Sequence, residues 1–246
     1  MLVKPLYNEC AAYVEDTKTL VVADLHIGIE YELYEEGAYV GSRVETLANK
    51  IIDLLRKTGA RQLVVLGDLK HVIPSSPPSQ KRDLQKFFEK LSLVDIVIVP
   101  GNHDGGIKKI VPKNVKVASS SGYVVEEKTL GFVHGHSWPS KEVIECSTVV
   151  AAHTHPMVEL KDALGYSYFE RCWVIARVDR EKLREIYGIE KEIELMIMPA
   201  FNPLCGGMVV NKEGIANPLS KIIDPGSMEV YLLDGSYLGK VKNLQI

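Results

Sequence analysis

The sequence predicts a layered α/β fold, and three observations support this prediction. The chain has 246 residues, of which 46% are hydrophobic and 25% charged, as in soluble globular proteins that bury a sizeable core. Short apolar runs rich in β-branched residues alternate with amphipathic segments over the first hundred residues. The runs are apolar at nearly every position, which is typical of strands covered on both faces. Alternation of strand and helix indicates sheets flanked by helices.

Five apolar runs predict core strands, and each is followed by polar residues or glycine. They are TLVVA (19–23), QLVVL (62–66), DIVIV (95–99), LGFV (130–133) and STVVAA (147–152). Their short length and their Val and Ile content favour strands over buried helices.

Two helices are predicted between the first three strands. Within residues 42–60, Ser42 and Glu45 form a capping-box pattern, and Gly59 suits the end of a helix. One apolar stripe along this segment comprises Val44, Leu47, Ile51, Leu54 and Leu55. The second helix is predicted over roughly residues 79–91, where four large apolar residues share one face.

The later part of the chain is predicted to contain a charged helix, a strand and a β-hairpin, over residues 177–188, 192–200 and 228–241. Asp234-Gly235 is the turn signal of the hairpin. No linker-like tract interrupts the chain. We therefore predict one domain over residues 1–246, with residues 160–246 as a C-terminal elaboration.

Composition excludes several classes of protein. A net charge of −3 argues against the broad basic surface of a duplex-binding protein. The four cysteines, Cys10, Cys146, Cys172 and Cys205, form no C-x-x-C pair, so zinc-ribbon and thioredoxin-like sites are not indicated. Neither a signal-peptide core nor a run long enough to span a bilayer is present. These features predict a cytoplasmic protein with reduced thiols and no membrane partner.

Polar, metal-ligating residues follow all five predicted strands. They are Asp24-Leu25-His26, Gly67-Asp68, Asn102-His103-Asp104, His134-Gly135-His136 and His153-Thr154-His155. Any one of these segments could be an ordinary turn. Because sites in open α/β sheets lie at the carboxyl ends of strands, five such segments together predict a functional site.

The types and spacing of these residues indicate two metal ions. D-x-H and H-x-H on extended backbone place both side chains on one face. Divalent Mn, Fe and Zn ions accept mixed carboxylate and imidazole ligands. A pair of such ions needs one shared carboxylate, and Asp68, alone at the end of a middle strand, is the natural bridge.

In their order and spacing, these five motifs resemble the calcineurin-like metallophosphoesterases over roughly residues 19–157. Three further segments are similar to the ligase-associated or ICC-like phosphoesterase subgroup: GDLKH (67–71), VHGHSWP (133–139) and MPAFNPLCGG (198–207). The chain departs from the family at Ala152, where the G-H-x-H motif usually has glycine. Alanine would be poorly tolerated there if the backbone had a positive φ.

The resemblance implies a two-sheet sandwich flanked by helices, in four α/β/β/α layers, with two divalent metal ions. It implies a first ion held by Asp24, His26 and His155, a second held by Asn102, His134 and His153, and Asp68 as their bridge. Mn²⁺ is the expected metal, with Fe²⁺, Zn²⁺ or Ni²⁺ as alternatives.

The resemblance also implies attack on phosphorus by a water or hydroxide between the metals. His103 would act as general acid or charge stabiliser, and Asp104 would orient its ring. Four residues are candidates for substrate contacts, although each also has a structural explanation: Arg43, Lys70, His71 and His136. Lys70 and His71 precede a Pro/Ser-rich segment, residues 72–80, that is predicted to be a loop at the mouth of the site.

The expected activity is phosphodiester hydrolysis on a small nucleotide or a nucleic acid. A DNA-repair-type nuclease, a phosphomonoesterase and a non-catalytic protein-binding scaffold are the alternatives. The modest length and acidic balance argue against the nuclease, and the complete set of ligand residues argues against the scaffold.

Overall fold

Two β-sheets pack face to face between layers of helices in the computed structural model, which describes residues 3–73, 77–215 and 217–244. The strands are β1 (Val3–Pro5), β2 (Ala11–Val14), β3 (Thr19–Val22), β4 (Gln62–Leu66), β5 (Asp95–Val99), β6 (Lys116–Val117), β7 (Tyr123–Glu126), β8 (Leu130–Phe132), β9 (Thr148–Ala151), β10 (Met157–Lys161), β11 (Ser167–Arg177), β12 (Glu194–Ile197), β13 (Glu229–Leu232) and β14 (Tyr237–Lys240). The α-helices are α1 (Ile29–Glu35), α2 (Val44–Thr58), α3 (Pro78–Lys90), α4 (Lys141–Ile144), α5 (Arg180–Tyr187) and α6 (Val210–Glu213).

The first sheet has the order β1-β2-β3-β4-β5-β6. Strands β3 to β6 run parallel, and β1 and β2 add an antiparallel edge. Helix α2 connects β3 to β4 and α3 connects β4 to β5, as the alternating sequence pattern predicts. The carboxyl ends of β3, β4 and β5 therefore meet at one edge of this sheet.

The second sheet has the order β14-β13-β11-β12-β9-β8-β7, with β10 paired to β11 outside this path. Strand β9 runs parallel to both β8 and β12. The predicted hairpin is present as β13 and β14, which turn at Asp234-Gly235 with φ 83° at the glycine. Strands after residue 160 thus complete the second sheet, while the single-domain organisation stays a prediction.

Three apolar clusters fill the layers. The middle cluster joins the facing surfaces of the two sheets and includes Val64, Val99, Phe132, Trp173 and Met196. An outer cluster packs α2 and α3 on the first sheet, and another packs α4, α5 and α6 on the second. The predicted four-layer α/β/β/α sandwich is confirmed.

The beginning of α2 differs from the predicted capping box. The helix starts at Val44, its N-cap residue is Arg43, and no side-chain capping bond is made. Instead, the backbone amide of Arg43 donates to Glu30 Oε1 at 2.6 Å, so a residue of α1 satisfies this donor. The predicted end is confirmed, since Gly59 has φ 67° and caps the helix in the left-handed conformation.

The segment 72–80 is only partly a loop, because α3 already begins at Pro78. Residues 74–76 of this prediction lie outside the described residues. All four cysteines are free thiols; Cys10, Cys146 and Cys172 are buried and Cys205 is half-buried. Within the described ranges, no helix combines the length and hydropathy needed to cross a membrane.

Candidate metal centre

Both sheets contribute residues to one polar cluster. Asp24 and His26 follow β3 and Asp68 follows β4 in the first sheet, whereas His134 follows β8 and His153 and His155 follow β9 in the second. Among the described residues, four groups of potential ligand atoms each lie within 4.8 Å of one another, and two of these groups share Asp68: Asp24, His26 and Asp68, and Asp68, His134 and His153. The other two share His26: His26, His71 and His103, and His26, His155 and Cys205. The packing of the two sheets therefore unites residues that are far apart in the sequence.

Asp68 lies between the two groups. Its Oδ2 is 3.6 Å from His26 Nε2 and also 3.6 Å from His134 Nε2. Its Oδ1 accepts a hydrogen bond of 2.9 Å from the backbone amide of His103. One oxygen is thus held by the main chain, while the other is placed symmetrically between two imidazoles.

Asp24 is the second buried carboxylate of the cluster and has no exposed surface. Its Oδ1 lies 2.9 Å from His134 Nε2 and 3.3 Å from His155 Nε2. The backbone amide of His153 donates to its Oδ2 at 3.3 Å. Asp24 therefore contacts residues from both strands of the second sheet that carry histidines.

Backbone strain is concentrated at these same positions. Positive φ angles occur at Asp24 (55°), His26 (42°), Asp68 (45°), His153 (70°) and His155 (46°). Non-glycine residues adopt such angles at a cost of about 1 kcal/mol or more, and they do so mainly at functional sites. The strain is evidence that the positions of these side chains are under functional constraint.

Two small residues permit this geometry. A Cβ on Gly67 would lie 2.1 Å from Cδ2 of His134, so only glycine fits between β4 and that ring. Ala152 is fully buried, and the described residues with positive φ include His153 but not Ala152. Alanine at this family glycine position is therefore unstrained.

Protonation differs among the histidines of this cluster. Burial lowers the pKa of His26 to about 4, and burial, together with the neighbouring His134, lowers that of His153 to about 4. Burial opposes protonation of His155 as well, but the charge and hydrogen bond of Asp24 raise its pKa to about 9. Burial likewise disfavours the carboxylate of Asp24, yet His155 and His134 hold its pKa well below the usual range.

The donor set fits divalent metal ions. Carboxylate oxygens and neutral imidazole nitrogens are the ligands that Mn²⁺, Fe²⁺ and Zn²⁺ accept. His26 is only 5% exposed. Its Nε2 is buried and has no hydrogen-bond partner within the part of the chain that the structure describes. Because an orphaned buried nitrogen is costly, its placement among carboxylates points to a cation as its partner.

His103 is held differently from the prediction. Its Nδ1 contacts the backbone carbonyl of His71, and its ring stacks on the His71 ring at 5.4 Å. The Asp104 carboxylate instead accepts from the backbone amides of Gly101 (2.9 Å) and Lys70 (3.2 Å). Asp104 is buried, and the amides satisfy its oxygens, so it shapes the turn rather than pairing with the imidazole.

Lys70 also departs from its predicted place at the mouth of the site. Lys70 is fully buried, and its Nζ donates to the carbonyl of Val72 at 3.0 Å. The backbone of Lys70 still pairs with Ile27 across an isolated parallel bridge, which keeps the side chain inside. Burial lowers its pKa.

His71 is part of the cluster and is half-buried. Its Nδ1 lies 3.1 Å from Nδ1 of His26, and its Nε2 contacts the Glu32 carboxylate at 2.5 Å. Glu32, an exposed residue of α1, was not a candidate from the sequence. Nothing in its local sequence distinguishes it from other surface glutamates.

The remaining candidates are placed as follows. Nδ1 of His136 lies 3.0 Å from Nδ1 of His134, so His136 supports the proposed ligand. Asn102 begins the 3₁₀ turn Asn102–Asp104, and its exposed side chain makes no hydrogen bond to the cluster among the described contacts. Arg43 occupies the N-cap position of α2, and its side chain is exposed. Substrate contact by Arg43 stays a prediction.

Comparison with known proteins identifies a family and a shared fold. The sequence matches the family model of calcineurin-like phosphoesterases over residues 17–176. No curated protein sequence matches the chain at a significant level. Among solved structures, the Pseudomonas putida nuclease MPE has a TM-score of 0.58 at 20% identity, covering 93% of this chain and 91% of that chain. The Escherichia coli phosphoesterase Yfce has a TM-score of 0.37 at 16% identity, covering 90% and 96%.

The similarity to the P. putida structure shows a shared fold. The family model spans well over half of the 246 residues and includes the strand ends that carry the cluster from Asp24 to His155. Family and fold together make phosphate-ester hydrolysis the reaction class. The chain belongs to the calcineurin-like phosphoesterase family.

Proposed function

We propose that this protein is a dinuclear, metal-dependent phosphodiesterase. The observation that carries the proposal is the position of Asp68 Oδ2, 3.6 Å from an imidazole nitrogen on each side. A carboxylate oxygen shared between two ligand groups is what a two-metal site requires. Asp24 also contacts two imidazoles, but Asp68 is the carboxylate that belongs to both of the ligand groups that contain aspartate among the described residues.

The residues that would hold the ions are those predicted from the sequence. Asp24, His26 and His155 are assigned to the first ion, Asn102, His134 and His153 to the second, and Asp68 to both. When bound, two divalent ions supply Lewis-acid stabilisation of phosphoryl charge and a water nucleophile of lowered pKa. Mn²⁺ is the preferred metal in this proposal, with Fe²⁺, Zn²⁺ or Ni²⁺ as alternatives.

His103 is assigned to the leaving group. With Nδ1 engaged by the carbonyl of His71, Nε2 is the nitrogen that would carry a proton to the departing oxygen. The backbone amide of His103 also donates to Asp68, so the turn that carries the ring is attached to the proposed bridging carboxylate. Asp104 supports this role by fixing the turn.

The test is activity of metal-stripped protein after addition of Mn²⁺, on bis-p-nitrophenyl phosphate, p-nitrophenyl phosphate and a cyclic nucleotide. We expect diester hydrolysis that requires metal and saturates at two ions per chain. Hydrolysis of the monoester alone would overturn the diesterase assignment. Binding of fewer than two ions would overturn the dinuclear centre.

A nuclease is the second candidate, favoured by exposed aromatic residues on the hairpin that starts two residues after His155. Strand β10 begins two residues after His155, and the β10–β11 hairpin presents Tyr166, Tyr168 and Phe169, which are 71%, 47% and 51% exposed. We call these three residues the aromatic hairpin. Exposed aromatic rings stack on bases of single-stranded nucleic acid without sequence preference. The P. putida structural neighbour is itself described as a nuclease.

The compartment and the subgroup are proposals as well. Four unpaired thiols favour a reducing, cytoplasmic environment. A small nucleotide or another phosphodiester is the proposed substrate, and similarity to the ligase-associated subgroup is retained on the motifs GDLKH and VHGHSWP.

A further inference from the structure

The segment Pro203–Gly207, here called the PLCGG loop, is attached to the strand end that carries Asp24. Just before it, the buried Asn202 donates from Nδ2 to the carbonyl of Leu25 at 2.8 Å. The backbone amide of Asn202 donates to the carbonyl of Asp24 at 3.4 Å. The N-terminal end of the loop is therefore hydrogen-bonded to the segment that carries Asp24 and His26.

The other end of the PLCGG loop contacts His155. Nδ1 of His155 lies 2.8 Å from the carbonyl oxygen of Gly206, which leaves Nε2 facing the cluster. A Cβ on Gly207 would lie 1.9 Å from the carbonyl oxygen of His155, so the two backbones are in direct contact. The loop thus joins the two strand ends that would hold the first ion.

Cys205 lies between these two attachments. Its Sγ and one nitrogen each of His26 and His155 all lie within 4.8 Å of one another. Two ligands of a single ion, at typical Zn–N and Zn–S lengths, are separated by about 4.4 Å at most. The three atoms are therefore close to the spacing of a common ligand set. The Sγ of Cys205 points at the carbonyl oxygen of Asp24, 3.7 Å away.

A second observation independently points to a cation at this place. Nε2 of His26 is buried and has no hydrogen-bond partner among the described residues. His26 belongs both to the group with His155 and Cys205 and to the group with Asp24 and Asp68. The His26 ring therefore lies between the thiol of Cys205 and the carboxylates of Asp24 and Asp68.

We propose that Cys205 is a sulfur ligand of the first metal ion, in addition to the proposed ligands Asp24, His26, Asp68 and His155. The inference rests on the proposed dinuclear centre. On binding, the S–H bond of Cys205 breaks, a sulfur–metal bond forms and the proton passes to solvent, with no change of oxidation state. A thiolate favours Zn²⁺, Fe²⁺ and Co²⁺ over Mn²⁺, so this inference changes the preferred ion of the first position to a softer one and leaves Mn²⁺ as the proposed ion of the second.

Cobalt substitution tests the proposal spectroscopically. Metal-stripped protein titrated with Co²⁺ should develop a thiolate-to-cobalt charge-transfer absorption in the near ultraviolet. Cys205→Ser and Cys205→Ala should bind Co²⁺ without that absorption. Cys146→Ala, which removes a buried thiol of the second sheet, should retain it. Binding of two Co²⁺ ions without a sulfur absorption overturns the Cys205 ligand and leaves the dinuclear centre standing. Failure to bind Co²⁺ overturns both.

Thiol labelling of the unmodified protein provides a test that needs no variant. Cys205 is half-buried, whereas the other three thiols are buried. Burial, together with Asp24 and Asp68, raises the pKa of Cys205, so a small thiol reagent is applied in long incubations at mildly alkaline pH, where it should modify Cys205 in metal-free protein. Saturating Zn²⁺ should slow that reaction at least tenfold, and mass spectrometry of peptides locates the modified thiol. Equal labelling with and without Zn²⁺ contradicts the proposal.

Metal preference provides the third readout. Cys205→Ala should weaken Zn²⁺ binding by about tenfold or more, in the range observed when metal-site residues are removed. Mn²⁺ binding should change less, because Mn²⁺ gains little from sulfur. Equal weakening of both metals would indicate a packing role for Cys205 and would overturn the assignment.

Discussion

At the scale of single residues, Asp68 shows how the main chain and the site are coupled. One of its oxygens is held by the amide of His103, and the other lies midway between His26 and His134. Gly67 lies between the end of β4 at Leu66 and Asp68, and a side chain at this position would collide with the His134 ring. The turn after β4 therefore sets both the position of the Asp68 carboxylate and the groups that it contacts.

Removal of His103 should separate catalysis from metal binding. His103→Ala should lower turnover by about 100-fold or more, the scale of general-acid catalysis, while metal content stays at two ions per chain. The loss should be larger for a nucleoside leaving group than for p-nitrophenolate, since p-nitrophenolate leaves readily without a proton. Metal analysis beside steady-state kinetics on both substrates checks this.

The His103 assignment has a clear contrary outcome. If metal content collapses while turnover per bound ion stays normal, His103 acts on the metals rather than on the leaving group. His136→Ala serves as the comparison, because His136 contacts a proposed ligand and should alter metal content first.

Metal uptake should release protons near neutral pH. His155 has a pKa of about 9 and is protonated at pH 7.5, whereas His26 and His153, with pKa values of about 4, are already neutral. A metal ion must displace the proton of His155, so about one proton or more should leave per chain. Calorimetric titration in two buffers of different protonation enthalpy measures the number, and a buffer-independent heat would contradict it.

The raised pKa of His155 also predicts how the stability of the metal-free protein depends on pH. The pKa of His155 is raised from 6.5 to about 9 on folding, so its stabilising contribution is fully present below pH 6.5. That contribution is lost as pH rises through 9. Urea unfolding of metal-free protein should show declining stability over this interval, and His155→Gln should reduce the decline, while His134, where burial is outweighed by Asp24 and the pKa is also raised, retains its own contribution.

At the scale of elements, the β10–β11 hairpin distinguishes the two candidate functions. It begins beside His155 and its exposed aromatic rings suit base stacking. For a nuclease, Tyr168→Ala should raise KM for an oligonucleotide by about fivefold or more, since stacking contributes roughly 1–3 kcal/mol per base. Hydrolysis of bis-p-nitrophenyl phosphate should be unchanged.

A matched control for this variant is Tyr237→Ala on β14, which removes another aromatic ring of similar exposure, 54% against 47%. Equal effects of both variants on the oligonucleotide would exclude a specific role for the aromatic hairpin. No effect of Tyr168→Ala, Tyr166→Ala or Phe169→Ala would favour a small nucleotide as substrate.

At the scale of the whole molecule, the proposed ions would join the two sheets. Asp24 and Asp68 follow strands of the first sheet, and His134, His153 and His155 follow strands of the second. The unfolded chain cannot present these residues together, so a bound ion stabilises the folded state. The site is therefore also a link between the layers.

Thermal unfolding should reveal this link. An ion at one hundred times its Kd stabilises by about 2.7 kcal/mol, and each kcal/mol raises Tm by about 2–4 °C at this chain length. Mn²⁺ should therefore raise Tm by about 5–10 °C, as measured by calorimetry at fixed protein concentration. Asp68→Asn should remove most of the rise, and a wild-type Tm that is insensitive to Mn²⁺ would contradict the shared site.

Much of this organisation was predictable from local patterns. Apolar runs and the polar residues after them predicted the core strands and the residues that meet at one edge of the sheets. Hydrophobic periodicity and turn formation depend on neighbouring residues, so both can be predicted from local sequence. The helix end at Gly59 and the hairpin turn at Asp234-Gly235 were predictable for the same reason. The resemblance to a known family added the second sheet and the ligand assignment.

The sequence by itself determined which residues are available for chemistry: carboxylates and imidazoles at the ends of five strands. Only the tertiary structure decided their partners. The loops after β4 and β5 of the first sheet place the carbonyl of His71, rather than Asp104, on His103, and Lys70 is buried in the same region. Packing of the second sheet on the first brings Cys205 beside His26. These contacts join residues distant in sequence, and they depend on backbone paths that local pattern does not encode.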